Sequence, residues 1–169
     1  MDRKAKIERK TDETKIEIAL KLDGTGFCMT NLDDDFNHYI TQFAKYGSFD
    51  IALSAKGNNR HHLIEDTALC LGEAFLVAYQ ETTIERIGHA IVPMDDTIVT
   101  VAVDFSGRGY PNLHLCHEDE MVRHFLSSFA MAAQINLYVD VTGQNDHHKA
   151  EAIFKALGLA VKYATEPLR

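Results

Sequence analysis

Gly57-Asn58-Asn59-Arg60-His61-His62-Leu63-Ile64-Glu65 returns 86 residues later as Gly143-Gln144-Asn145-Asp146-His147-His148-Lys149-Ala150-Glu151. A Gly-x-Asn turn, a histidine pair and a glutamate four places after the first histidine recur in one register. At the same offset His38 matches His124, Phe43 matches Phe129, Leu71 matches Leu157 and Gly72 matches Gly158. Nearer the N-terminus the offset is 83: Ile16 to Leu22 aligns with Val99 to Phe105, and Gly24 and Gly26 align with Gly107 and Gly109. A loop differing by three residues reconciles the two offsets. Ligand-type side chains, glycines and apolar positions agree together, which points to tandem duplication over nearly the whole chain.

Strand and helix signals follow the same order in both halves. Lys15 to Leu22 alternates apolar and polar residues, as a half-buried strand does, and Thr97 to Phe105 repeats the pattern. Phe36 to Tyr46 and Glu120 to Ala133 carry helical spacing. Short strands are expected at Ser48 to Ala55 and Asn136 to Val141, and long helices at His61 to Tyr79 and His147 to Tyr163. Leu69, Leu71, Phe75, Leu76 and Val77 are expected to line one long helix, and Ile153, Phe154, Leu157 and Val161 the other. The expected fold is α+β, a tandem duplication of a half-domain with small sheets packed against a helical layer. The repeats are expected at about residues 8–82 and about 91–165 of a single domain 1–169.

A chain of 169 residues, 46% hydrophobic and 25% charged, can bury one sizeable core. No run of 18 apolar residues is present, so no membrane span is expected. Met1-Asp2-Arg3-Lys4-Ala5-Lys6 lacks the apolar stretch of a secretory signal, and Cys28, Cys70 and Cys116 form no Cys-x-x-Cys pair. A reducing, cytoplasmic location is the expectation. The net charge of −8 argues against a nucleic-acid binder, though a few local cations could still hold a small anion.

On a helix, residues i and i+4 share a face, so His61 with Glu65 and His147 with Glu151 can each chelate one cation. His62 and His148 are turned by about 100° from their neighbours and tend toward a different site. With His38 and His124, eight side chains divide into two sets of three histidines and one carboxylate. Imidazole with carboxylate and no thiolate suits Mn, Fe, Co, Ni or Zn. His89, His114 and His117 have no partner in the repeat and are expected to be surface or core residues.

These residues resemble the imidazoleglycerol-phosphate dehydratase family of histidine biosynthesis. The likeness extends to Arg9-Lys10-Thr11-Asp12-Glu13-Thr14, Gly88-His89-Ala90-Ile91-Val92-Pro93-Met94-Asp95 and Asp104-Phe105-Ser106-Gly107-Arg108. The chain departs from the family pattern at Asn37, Tyr46, Asn59-Arg60 and Tyr138, and the family's Ser-x-Lys phosphate-binding tail has no match in Thr165 to Arg169. The resemblance implies a hydro-lyase that converts imidazoleglycerol phosphate to imidazole acetol phosphate with two Mn2+ ions. It implies His38, His61, His62, Glu65, His124, His147, His148 and Glu151 as ligands. It also implies Glu13 as the acid–base group, with Arg86, Arg108, Lys155 and Asp95 at the substrate and its phosphate. The metals would act as Lewis acids and as a positioning template. Homo-oligomeric assembly into about 24 subunits built from trimers, with sites at subunit contacts, is the further implication. The alternative is a divergent metal-linked relative with weak or altered activity. Glu13 is expected to have no equivalent in the second half, since 13 plus 83 is Asp96 and 13 plus 86 is Val99.

Overall fold

The computed structural model describes residues 3–116 and 119–168. The first half runs β1 (Lys4–Lys10), β2 (Thr14–Lys21), β3 (Cys28–Met29), α1 (Asp34–Gly47), β4 (Asp50–Gly57) and α2 (Arg60–Tyr79). The second runs β5 (Ile87–Met94), β6 (Thr97–Asp104), β7 (Tyr110–His114), α3 (Glu120–Ala132), β8 (Asn136–Thr142) and α4 (Asp146–Ala164). Adding 83 to the strand positions of the first three elements, or 86 to the next three, lands on the matching element of the second half. The duplication is therefore structural as well as sequential. Each repeat opens with a strand, β1 or β5, ahead of the starts near 8 and 91 expected from sequence.

The two sheets have the same order, β1-β2-β4-β3 and β5-β6-β8-β7, antiparallel except for the last pair. Alternation decides their faces. Ile16, Ile18 and Leu20 of β2 and Val99, Val101 and Val103 of β6 are buried, while the residues between them point outward. Helix α2 packs on β1, β2 and α3, and α4 packs on β5, β6 and α1. The helices thus form a layer shared by both sheets, with each helix pair drawn from both halves. Phe36, Phe43, Phe75, Phe125, Phe129 and Phe154 fill that layer, and Phe43, Phe75 and Phe129 meet edge to face at 5.6 to 5.9 Å.

Close helix crossings depend on glycine. A Cβ on Gly158 would lie 2.5 Å from the Phe43 carbonyl oxygen of α1, and one on Gly72 would lie 2.7 Å from the Phe129 carbonyl oxygen of α3. The two contacts are images of each other under the duplication. Within α2 the apolar stripe is narrower than expected: Leu71 and Phe75 are buried, but Leu69 and Leu76 are half-buried and Val77 is 36% exposed. The buried face is completed instead by Ile64 and by Ala68, Ala74 and Ala78, whose small side chains suit close crossings. In α4 the expected Ile153, Phe154, Leu157 and Val161 are all buried. Among the described residues no helix is long and apolar enough to cross a membrane.

Candidate functional site

Helix caps bring the ligand-type residues together. Asp33 and Asp119 cap α1 and α3, and Asn59 and Asn145 cap α2 and α4 by accepting from the His62 and His148 main-chain N–H groups. The recurring Gly-x-Asn turn is therefore a helix start, and it sets the histidine pair in the first turn. Arg60 ties two of these starts together, with Nε 2.7 Å from Asp33 and Nη2 3.4 Å from Asp119. Its guanidinium also lies 5.7 Å from the Phe36 ring centre.

Because α1 pairs with α4, His38 of the first half meets His147 and Glu151 of the second. His38 Nε2 is 2.9 Å from Glu151 Oε2, His147 Nε2 is 3.4 Å from the same oxygen, and one ligand atom from each residue lies within 4.8 Å of the others. The two rings stack at 5.5 Å. Because α3 pairs with α2, the reciprocal set gathers His124, His61 and Glu65. The His61 and His124 rings are 4.5 Å apart and His61 Nε2 is 3.5 Å from Glu65. Each cluster thus takes one histidine from one half and the His-x-x-x-Glu pair from the other. At His38/His147/Glu151 two imidazoles and a carboxylate bring their ligand atoms within 4.8 Å of one another, a donor set that fits a divalent first-row ion.

The clusters differ in charge. Lys155 Nζ stands 2.7 Å from Glu151 Oε1, whereas position 69, its image, is Leu69. Burial pushes the Glu151 carboxyl up, but the hydrogen bonds from Lys155 and His38 outweigh it and hold the net value below the usual range. Lys155, expected at the substrate phosphate, is therefore already paired with a candidate ligand. Tyr39 packs beside His147 at 6.3 Å and stacks on Phe154 at 5.2 Å, and burial pushes its phenol up to about 12.

The third histidine of each expected set turns away from its cluster. His62 Nδ1 bonds Glu13 at the tip of the β1–β2 hairpin, and His148 Nδ1 bonds Asp96 at the tip of the β5–β6 hairpin, 2.8 Å away. The expectation that Glu13 has no counterpart is therefore overturned. Asp96 is its image at offset 83, one methylene shorter, and takes the equivalent histidine. The hydrogen bond from His148, then those from the Gln144 and Asn145 N–H groups, hold the Asp96 carboxyl well below the carboxylate range. Gly57, at the end of β4, lets the hairpin tip lie against it, since a Cβ there would lie 2.9 Å from the Glu13 carbonyl oxygen. Asp95, exposed at 73%, has Oδ2 3.5 Å from His148 Nε2.

The remaining expected residues lie elsewhere in the chain. Arg86 precedes β5 and is held by Asp104 through Nε at 2.6 Å and Nη2 at 3.1 Å, and Arg108 is exposed in the following turn. Asp95 lies at the other end of the eight-residue β5, about 25 Å away for an extended strand. One chain does not bring Arg86 and Arg108 to its own ligand clusters. His89 and His114 are exposed, and His117 lies outside the described residues. Asp96, Arg60 and Tyr39 were not singled out by sequence reasoning. For Asp96 the duplication register itself is the signal.

Two sheets on a shared helical layer, with reciprocal His/Glu clusters at the helix starts, define a duplicated α+β scaffold that carries paired His/carboxylate sites. A profile of imidazoleglycerol-phosphate dehydratase matches residues 33–161. The chain belongs to the imidazoleglycerol-phosphate dehydratase family. It is 48% identical to the imidazoleglycerol-phosphate dehydratase of Dehalococcoides mccartyi strain CBDB1, over 96% of this chain and 89% of that protein. With the one from Methanococcus vannielii it shares 42% identity, over 96% and 91%. The crystal structure of the Pyrococcus furiosus enzyme superposes with a TM-score of 0.84 at 32% identity, covering 96% of this chain and 95% of that one.

Proposed function

We propose that this chain is a metal-dependent hydro-lyase of histidine biosynthesis that converts imidazoleglycerol phosphate to imidazole acetol phosphate. Family membership supports the reaction. The observation that carries metal dependence is the His38/His147/Glu151 cluster, with its image residues His61, His124 and Glu65 gathered side by side at the other helix crossing. These residues, with His62 and His148, would hold two Mn2+ ions. When bound, the ions would supply Lewis-acid polarisation of the imidazole and fix its position.

The chain's own groups account for the proton. Loss of water takes the hydroxyl from the carbon beside the imidazole and the C–H proton from the next carbon, and the resulting enol becomes the ketone as its O–H proton is replaced by a C–H beside the ring, so a single carboxylate can act first as base and then as acid. Glu13 Oε2 is assigned that role. It sits beside His62, 59% exposed, on a hairpin tip where substrate can reach it. Arg86 and Arg108 suit phosphate because a guanidinium donates in a fork. Their distance from the same chain's clusters supports an assembly in which another copy supplies them, consistent with the proposed 24-subunit shell. The exposure of His61 (44%), Glu65 (41%) and His147 (54%) agrees with ligand sets completed across a subunit contact.

The test is turnover of imidazoleglycerol phosphate by the chelated protein before and after Mn2+ is restored. Product that appears only with Mn2+ is expected. Unchanged turnover in metal-free protein would remove the metal role. No turnover in metal-replete protein would remove the dehydratase assignment and leave the divergent metal-linked relative.

A further inference from the structure

Glu13 and Asp96 occupy equivalent places in the two halves, yet their carboxylates are held differently. Asp96 Oδ2 accepts two main-chain N–H groups, from Gln144 at 2.7 Å and Asn145 at 3.0 Å. Its Oδ1 accepts from His148 Nδ1 at 2.8 Å and from the Thr97 hydroxyl at 3.4 Å. The carboxylate is thus clamped between the β5–β6 hairpin and the start of α4. Among the described residues no main-chain N–H reaches the Glu13 carboxylate, and His62 is its one hydrogen-bond partner there. Of the two side chains, Asp96 is 38% exposed and Glu13 59%.

An ionised carboxylate only accepts hydrogen bonds, so a neutral His148 facing Asp96 must carry its proton on Nδ1. Nε2 is then left with a bare lone pair. Asp95 Oδ2, 3.5 Å from Nε2, is too distant to hold a competing proton there. We propose that Asp96 is a positioning residue that fixes the Nδ1–H tautomer of His148 and so presents a bare Nε2 to a cation, while its image Glu13 is left free to move protons. This deepens the functional reading above and rests on His148 being a ligand. The duplicated carboxylate has two separate tasks, and main-chain anchoring decides which half has which.

Asparagine at position 96 separates this idea from a structural role. The two main-chain N–H groups require the amide oxygen where Oδ2 now lies. The amide NH2 is then forced onto His148 Nδ1, which can only accept if the ring moves its proton to Nε2. The isosteric Asp96→Asn change should keep the hairpin and reverse the tautomer. Glu13→Gln, with no such anchor, can turn its amide oxygen toward His62 and leave that ring as it is.

The experiment is long-range 15N–1H correlation on metal-stripped, histidine-labelled protein, at a pH where the ring is neutral. The His148 signals are assigned by their loss in His148→Gln. We expect Nδ1–H in the wild type, Nε2–H in Asp96→Asn, and no reversal at His62 in Glu13→Gln. Mn2+ affinity by equilibrium dialysis should fall about 10- to 100-fold in Asp96→Asn and stay near wild type in Glu13→Gln. An Nε2–H ring in the wild type overturns the proposal even if the variant fails to fold, as does an unchanged tautomer in a folded Asp96→Asn. Wild-type protein that holds Nδ1–H but binds no Mn2+ would overturn the ligand reading, and the lock's purpose with it.

Discussion

Adding one methyl group at Gly158 sets two opposing effects against each other. In a helix interior, Gly→Ala stabilises by about 1 kcal/mol through backbone entropy alone. At Gly158 the new Cβ would lie 2.5 Å from the Phe43 carbonyl oxygen and 3.0 Å from the Gly47 nitrogen. Both are main-chain atoms of α1, so no side chain can swing aside. Ordinary contact needs about 3.4 Å or more, so α1 must retreat by roughly 0.5 to 1 Å from a close-packed interior. Overpacking costs about 1–3 kcal/mol, and against two main-chain atoms this close the upper part of that range, about 2–3 kcal/mol, applies, which exceeds the helical gain. The expected net effect of Gly158→Ala is a loss of about 1–2 kcal/mol, or a thermal midpoint lower by roughly 2–8 °C for a chain of this size. The same crossing holds His38 against Glu151 at 2.9 Å, so moving α1 should also weaken Mn2+ binding. Thermal unfolding and equilibrium dialysis on the variant and wild type give both numbers. A midpoint at or above wild type would refute the claim that the helices cross in contact at this glycine. Gly72→Ala, the image at the α2–α3 crossing, should behave alike.

Three further outcomes follow from the site. Glu13→Gln should retain Mn2+ and assembly while lowering turnover by about a hundredfold or more, with less change in KM than in kcat. Full activity at intact metal content would move the proton role to another group, Asp95 first. The Glu151 carboxyl is held below its usual 4.5 by Lys155 and His38, despite burial. Its contribution to stability should therefore be complete above about pH 4.5 and fade as pH falls through the lower folded value. The unfolding midpoint of Glu151→Gln should accordingly be less sensitive to pH below 4.5 than that of wild type, and identical acid profiles would contradict this. Chelation should shrink the assembled particle in light scattering, because metal binding stabilises the assembled state by mass action. An undiminished, metal-free particle would show that assembly does not need the ion.

Much of the architecture was legible because duplication prints every strong signal twice. The eight ligand-type residues stand out for that reason, as do the Gly-x-Asn turns that precede the histidine pairs. Strands β1 and β5 were missed for a physical cause. Ala5 and Ile7 are the only apolar residues facing inward on β1, among Lys4, Lys6, Glu8 and Lys10. On β5 the inner residues Gly88 and Ala90 are smaller than the outer His89 and Ile91, because α4 lies so close that a Cβ at Gly88 would overlap the Ala160 carbonyl. Hydrophobic alternation read by size then points the wrong way. The partition of ligands between halves was also hidden. Sequence shows that His61 and Glu65 share a helix face, but only the pairing of α2 with α3 shows that His124, and not His38, joins them.

That exchange has a consequence for how the chain came to need both halves. Under the duplication, His38/His147/Glu151 maps onto His124/His61/Glu65, so the two clusters are related as contacts of an isologous dimer are, where residue i meets j and j meets i. A half-domain alone holds a lone histidine on one helix and a His-x-x-x-Glu pair on another that does not face it. Two halves are the least that can close one cluster, and closing one closes both. Fusion into one chain keeps that geometry while freeing the copies to diverge, which an identical pair cannot do. The divergence lies where chemistry needs asymmetry: Lys155 against Leu69 beside the glutamates, and an anchored Asp96 against an unanchored Glu13 behind the second histidines. An asymmetric substrate on a quasi-symmetric platform needs one side to hold still and the other to move a proton, and the hairpin tips differ in that respect.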